Sequence, residues 1–350
     1  MRLPRTTPLA VHFGDDETRF LQLRGRPGDW QVGFHARVAG DAEELAAWAG
    51  EVPARGWKGR DAVVGLGPAQ VESTIVPLDE EDEDGRDQLL AQAALTCVED
   101  EEGVRYRWLP LGRTPGTRRR ELLLLAVGES RVRRAGAAAA AMGLRPVSLE
   151  PVVFGLARAI LAMQETTGAP WGFLHVGFEQ AVFGVLHRGE VGFLKPLQQN
   201  GRSFLDALSR KAEELEEEPL PLVLEEATAD HEQVSTATVW SPARLRRLSL
   251  DHALELLEAA ERPADLLADE VRACLRHFHS RHKGAEVRGI HLSGFGATLP
   301  GVEEAVQRTL GRPVAEARPF SELGILAPPE ILDEEPLWAP VLGLAMRGYA

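Results

Sequence analysis

The strongest constraint on what this chain can fold into is an internal echo. Leu9-Ala10-Val11-His12-Phe13-Gly14 and Gly172-Phe173-Leu174-His175-Val176-Gly177 both read as a strand that stops at His-apolar-Gly. Each continues into a second apolar run, Thr18 to Leu23 and Ala181 to Leu186, with Phe20 and Phe183 at the same offset of 163 as the two histidines. A turn and a third run follow, carrying Val32-Gly33-Phe34 or Val191-Gly192-Phe193; the offset drops to 159 because the first copy has the longer loop, Arg24 to Gly28. Self-similarity at a fixed offset marks repeated units. Two meanders, each heading half of a 350-residue chain, predict two domains of one design.

The first domain is expected over 1–168. Asp41 to Gly50 has Leu45 and Trp48 at helical spacing after a capping Asp, and Ala62 to Leu66 reads as a buried strand ending at Gly67-Pro68. Residues 70–148 read as an inserted α+β subdomain in the order strand, helix, two strands, helix, strand. Its pieces are Val71 to Leu78, Arg86 to Val98, Val104 to Leu111, Glu121 to Val127, Ser130 to Met142 and Val147 to Leu149, and Asp79 to Asp84 is a solvated acidic loop. The second domain is expected over 169–350. It carries a helix from Phe204 to Glu218, a helical or irregular insert at about 219–262, and a helix from Pro263 to His282. A strand at Gly289 to Leu292, a helix from Pro300 to Leu310 closed by Gly311, and a C-terminal helix at about 337–348 complete it.

Charge narrows the partners. Asp and Glu outnumber Lys and Arg by 53 to 39, a formal charge of −14, which repels nucleic acid and anionic lipid surfaces. The chain has two cysteines, Cys97 and Cys274, which excludes a disulfide framework or an all-cysteine zinc site. No apolar run approaches the roughly 20 residues of a membrane-spanning helix, and the start lacks a signal-peptide core. The expectation is a cytoplasmic protein without direct membrane insertion.

Ser293-Gly294-Phe295-Gly296-Ala297-Thr298 joins a strand to a helix, the kind of turn whose free amides hold phosphates elsewhere, although glycine also serves any tight turn. His277, His279 and His282 resemble a metal cluster by composition, yet 277 and 279 lie about 200° apart on a helix, so the expected reading is a basic helix end. Gly65-x-Gly67-x-x-Gln70 misses the last glycine of a dinucleotide fingerprint, and there is no Gly-x-Ser-x-Gly hydrolase elbow.

Taken in order, these elements resemble the actin-like ATPase fold, ribonuclease H-like and duplicated, and specifically the PilM family of type IV pilus assembly proteins. The residues carrying the resemblance are His12-Phe13-Gly14 through Leu23, Val64 to Pro68, Gly143 to Pro146 with Glu150-Pro151 and Ala157-Arg158-Ala159, Leu292 to Gly301, Pro319-Phe320, and Leu342 to Arg347. The resemblance implies a nucleotide cleft formed by His12, Gly14, Asp15, Asp16, Arg19, His175, Gly177, Glu179, Gln180, Gly294, Phe295 and Gly296. In the family both strands end in Asp-apolar-Gly, and the two Asp hold Mg²⁺ through its waters; here His12 and His175 stand instead. A carboxylate about 4 Å from a divalent cation gains roughly twice the ~4 kcal/mol of a unit pair at an effective dielectric near 20, and neutral imidazole supplies none of it.

Arg19 keeps the basic character of the family's Lys, Phe178-Glu179-Gln180 replaces a small hydroxyl-bearing turn, and Phe295 fills the glycine triplet where an adenine would lie. The expectation is therefore a pseudo-ATPase scaffold of a pilus or type II secretion-like machine, with no cofactor. The resemblance implies that it docks the cytoplasmic tail of a PilN-type inner-membrane protein beside the insert, which recruits it to the membrane among other assembly components. Three alternatives accompany this reading: a working Mg-ATP-dependent ATPase or kinase; a transition metal or phosphate bound by His12 and His175; and a metal held from shifted positions by Asp15, Asp16 or Glu179. A chain ending at Ala350 without an anchor also sets it apart from the related secretion proteins that carry one.

Overall fold

Strand alternation sends successive side chains to opposite faces, and both faces of both main sheets are covered. In the computed structural model, residues 6–14, 17–39, 56–79, 85–100, 102–113, 119–164, 168–214, 250–282, 284–299 and 302–348 are described. The expected helix at Asp41 to Gly50, most of the acidic loop, most of the 219–262 insert, and Asp15 and Asp16 lie outside them.

The first sheet has the order β3-β2-β1-β4-β8. Strands β1 (Leu9–Phe13), β2 (Glu17–Arg26) and β3 (Asp29–Ala39) form the antiparallel meander, and β4 (Asp61–Leu66) and β8 (Arg145–Pro151) add in parallel. The second sheet repeats it as β11-β10-β9-β12-β13. There β9 (Trp171–Val176), β10 (Ala181–His187) and β11 (Glu190–Leu197) are the meander, with β12 (Ile290–Ser293) and β13 (Val314–Glu316) parallel. Between β5 (Glu72–Leu78) and β7 (Arg120–Gly128) lies the insert, a three-stranded sheet of order β5-β7-β6 with β6 at Val104–Arg113, backed by helix α1 (Arg86–Cys97).

The insert is smaller than the 70–148 expected. Helix α2 (Glu129–Ala141) and β8 belong to the first domain proper: Ala135, Ala138 and Ala139 pack on Leu9, Val11 and Phe13, and β8 pairs with β4. The run Leu122 to Val127 is apolar throughout because β7 is covered on both sides, Leu122, Leu124 and Ala126 meeting α1 and Leu123 and Leu125 meeting the central core.

That central core is shared by the halves. Helix α3 (Val152–Met163) and the C-terminal helix, Glu335–Ala345, lie between the inner faces of the two sheets, against Ala10, Leu21 and Val63 on one side and Phe173, Val182 and Leu194 on the other. The outer face of the second sheet carries α4 (Gly201–Glu214), α5 (Leu250–Arg281) and α6 (Val302–Leu310). Leu250 to Ala260 and Pro263 to His282 read in sequence as two helices, yet they form one, α5, which runs 32 residues through Pro263. The lost N–H is outweighed by an unbroken buried stripe of Ala260, Ala264, Leu267, Ala268, Val271 and Phe278. Two short helices, α7 (Pro319–Glu322) and α8 (Pro329–Leu332), lead into the C-terminal helix, α9, which begins two residues before the expected 337 and ends three before 348. No helix among the described residues is long and apolar enough to cross a membrane.

Candidate functional site

Parity decides where the two strand-end histidines go. Leu9, Val11 and Phe13 belong to the outer core of the first domain while Ala10 belongs to the central core, so His12 faces the centre. Leu174 and Val176 are outer and Phe173 is central, so His175 faces the centre from the opposite sheet. Both are buried. The structure brings them together with Arg19, which stands opposite His12 in the sheet. Burial first, then the Arg19 charge and then His175, hold His12 well below the ordinary imidazole range. Burial and Arg19 lower His175 to about 4. Both rings are therefore neutral at pH 7. The Nδ1 of His175 lies 3.1 Å from the Ser293 hydroxyl, whereas the buried Nδ1 of His12 has no hydrogen-bond partner among the described residues.

Arg19 is one member of an ion-pair chain. Its guanidinium pairs with the Glu17 carboxylate, whose other oxygen is 2.9 Å from Arg37 Nε, and Arg37 Nη1 reaches Glu334 at 2.7 Å. Arg19 and Arg37 are register partners on β2 and β3, so His12, Arg19 and Arg37 form one row across the sheet. Glu17 is 2% exposed. The sequence reading missed it. The available signal was its position two residues before Arg19 on the same strand face.

The glycine turns are engaged internally. Gly14 N–H donates to the Glu17 carbonyl at 3.0 Å and, in the matching turn, Gly177 N–H donates to the Gln180 carbonyl at 3.1 Å. Gly294 N–H donates to Pro336 at the start of the C-terminal helix, 3.0 Å away, and Ala297 N–H donates back to Gly294. Close approach to β9 explains both glycines of the Ser-Gly-x-Gly turn. Gly294 has φ of 81°, and a Cβ there would lie 2.7 Å from the Val176 carbonyl oxygen and 2.9 Å from the His175 ring; one on Gly296 would strike the Val176 side chain at 2.5 Å. Phe295 is buried in the second-domain core with its ring 5.8 Å from Phe178, edge to face. Glu179 is engaged by Arg202, which also lies over Phe178.

Elsewhere, His282 stacks on Phe278 at 4.4 Å and lies 5.4 Å from His187, while His277 faces Phe193. Among the described residues no three His, Cys, Asp or Glu gather as a metal group. Gly65 is a packing glycine: a Cβ would meet Leu344 of the C-terminal helix at 2.5 Å.

A second feature opens on another side of the molecule. A groove of about 1040 Å³ is walled by Trp30, Phe154, Ala157 and Leu161 of the first domain, Leu109 and Pro110 of the insert, and the Leu186 to Val191 hairpin of the second domain. Arg158 lies in it, held by both Glu150 oxygens at 3.0 and 3.2 Å.

No family model and no curated protein matches the sequence. Among solved structures, the protein is similar to a chain of a PilM-PilN type IV pilus biogenesis complex, at 18% identity and a TM-score of 0.72, over 98% of this chain and 99% of that one. It is also similar to the ethanolamine utilization protein EutJ from Carboxydothermus hydrogenoformans, at 13% identity and a TM-score of 0.54, over 99% and 91%. Identities this low speak for the fold alone, and in fold the chain is PilM-like, a member of the actin-like α/β architecture with a small sheet inserted in its first domain.

Proposed function

We propose that the protein is a non-catalytic assembly component of a type IV pilus or type II secretion-like machine. In this reading it holds the cytoplasmic tail of a PilN-type inner-membrane protein in the groove beside the insert, and that contact recruits it to the membrane. The observation carrying the reading is the groove itself. It offers exposed edges of Leu109, Phe154 and Leu161 over a floor of Trp30 and Ala157, enough volume for several side chains of an extended peptide, with Arg188 and Glu190 at its mouth. The likeness in fold to a chain of a PilM-PilN complex supports the choice of partner.

Among the described residues, the interdomain cleft does not fit magnesium triphosphate. Two neutral imidazoles stand at the strand ends, Arg19 and Arg37 already share a carboxylate, and the amides of Gly14, Gly177 and Gly294 are spent inside the protein. A hard cation prefers oxygen ligands, and neutral imidazole does not offset its charge.

The test is a calorimetric titration with the synthetic cytoplasmic peptide of the PilN-type protein from the same genome. Saturable one-to-one binding is expected, weakened at least about tenfold by Leu109→Asp, which puts a charge on the apolar wall. Absence of binding, or indifference to that substitution, sinks the docking site. Thermal melting with Mg-ATP decides the enzyme alternative: a ligand at 100 times Kd stabilises by about 2.7 kcal/mol, and the expected result is no shift.

A further inference from the structure

We propose that Arg188 is the specificity residue of the groove: its guanidinium takes one carboxylate of the docked segment and so fixes the register in which that segment lies. The inference deepens the docking reading and rests on it.

The backbone gives the first argument. Among the described residues, Arg188 is the one non-glycine residue with a positive φ, at 55°. With Gly189, whose φ is 80°, it forms the two-residue turn that the pair His187 and Glu190 closes between β10 and β11. A two-residue turn with both φ positive favours Asn, Asp or Gly at its first place, and a long side chain held there is strained. The fold itself does not require this. In the matching hairpin of the first domain the pair Arg26 and Asp29 closes on Pro27 and Gly28, where the glycine alone has a positive φ, of 86°. Strain that the scaffold does not need is a pointer to function.

Position gives the second. Both turns stand on the groove, Pro27 and Gly28 lining it from one domain and Arg188 and Gly189 from the other. Arg188 is exposed there, and it makes no hydrogen bond or ion pair with a described residue, Glu190 included. The other arginine of the groove, Arg158, is already held by both Glu150 oxygens and the Gly343 carbonyl. Side chains of an extended segment repeat every two residues, so apolar walls alone let it slip along the groove. A planar guanidinium removes that freedom, because it matches a carboxylate with two parallel hydrogen bonds at a single place.

The experiment is a calorimetric titration at low ionic strength with the synthetic cytoplasmic peptide of the PilN-type protein, and with versions in which each Asp or Glu in turn becomes Asn or Gln. The full-length wild type, Arg188→Asn and Arg188→Lys are compared. Arg188→Asn suits the turn, so it should melt higher than the wild type while binding the native peptide at least about threefold more weakly. One neutralised peptide should lose the same factor on the wild type and nothing further on Arg188→Asn. Arg188→Lys, which keeps the charge without the fork, should fall between the two. The gap between wild type and Arg188→Asn should narrow as salt is added. A native peptide that binds Arg188→Asn as tightly as the wild type overturns the proposal. So does a loss in Arg188→Asn that no neutralised peptide reproduces, or a lower melting temperature in that variant, which would make the residue structural. If binding responds to Leu109→Asp but not to Arg188→Asn, the groove stands and only the role of Arg188 falls; if the wild type binds no peptide, both fall.

Discussion

At the scale of single residues, the buried imidazoles control acid sensitivity. His175 and His291 each hold a value of about 4 in the folded protein against 6.5 for the free side chain, chiefly because burial disfavours the charged form. Between those values the unfolded chain binds protons that the folded one refuses, so stability is complete above about pH 6.5 and falls as the pH drops toward 4. Each group accounts for at most about 3 kcal/mol of that loss. His291→Phe, which keeps a ring beside Trp171, should flatten the fall in melting temperature across this interval; an unchanged slope would refute the assignment. Gly294→Ala tests the turn: with φ of 81° and the His175 ring 2.9 Å from the added Cβ, destabilisation of about 2 kcal/mol or more is expected in denaturant unfolding. The histidine pair was legible from the echo and strand parity. Glu17 was not, because a charged residue beside a turn reads as solvated until its strand is known to pack against the C-terminal helix.

Among the elements, the contact between α3 and α9 sets the tightest tolerance. A Cβ on Gly343 would lie 1.7 Å from the Gly155 carbonyl oxygen, and one on Gly155 would lie 2.5 Å from that of Pro340. The helices touch backbone to backbone at the centre of the shared core, and Gly343→Ala must separate them. A loss of about 3 kcal/mol is expected from the shift of packed neighbours. Gly136→Ala on α2, where nothing lies within 4 Å, should instead stabilise by up to about 1 kcal/mol through the better helix propensity of Ala. Chemical denaturation of both variants checks the contrast, and equal effects would refute the packing argument. Strand and helix positions were readable from periodicity. Element membership was not: α2 and β8 follow the insert without a break in sequence signal, and only pairing of β8 with β4 assigns them to the main sheet.

For the whole molecule, the groove depends on how three bodies are held, and the hold between insert and second domain is specific. Arg281, in the last turn of α5, pairs with Glu121 on β7, whose side chain is 10% exposed, beside Ile75 and Leu111 of the insert and Phe193, His277 and His282 of the second domain. The partner domain was invisible in sequence because 160 residues separate the two charges. Arg281→Ala leaves Glu121 buried with its charge uncompensated from that side. Removing one partner of a fully buried pair costs 3–5 kcal/mol, and the part-exposure of Arg281 reduces the expected loss to about 1–3 kcal/mol. Because Leu109 and Pro110 on the same insert sheet wall the groove, loosening this joint should weaken peptide binding although no groove residue is altered. Hydrogen exchange across Leu122 to Val127 should speed up in Arg281→Ala. In Glu121→Gln/Arg281→Met, where both charges of the pair are removed together, both exchange and affinity should return most of the way to wild type. If Arg281→Ala binds peptide as tightly as the wild type while exchanging faster, the insert's attachment to the second domain does not shape the groove, and the peptide is held by the first domain and insert alone.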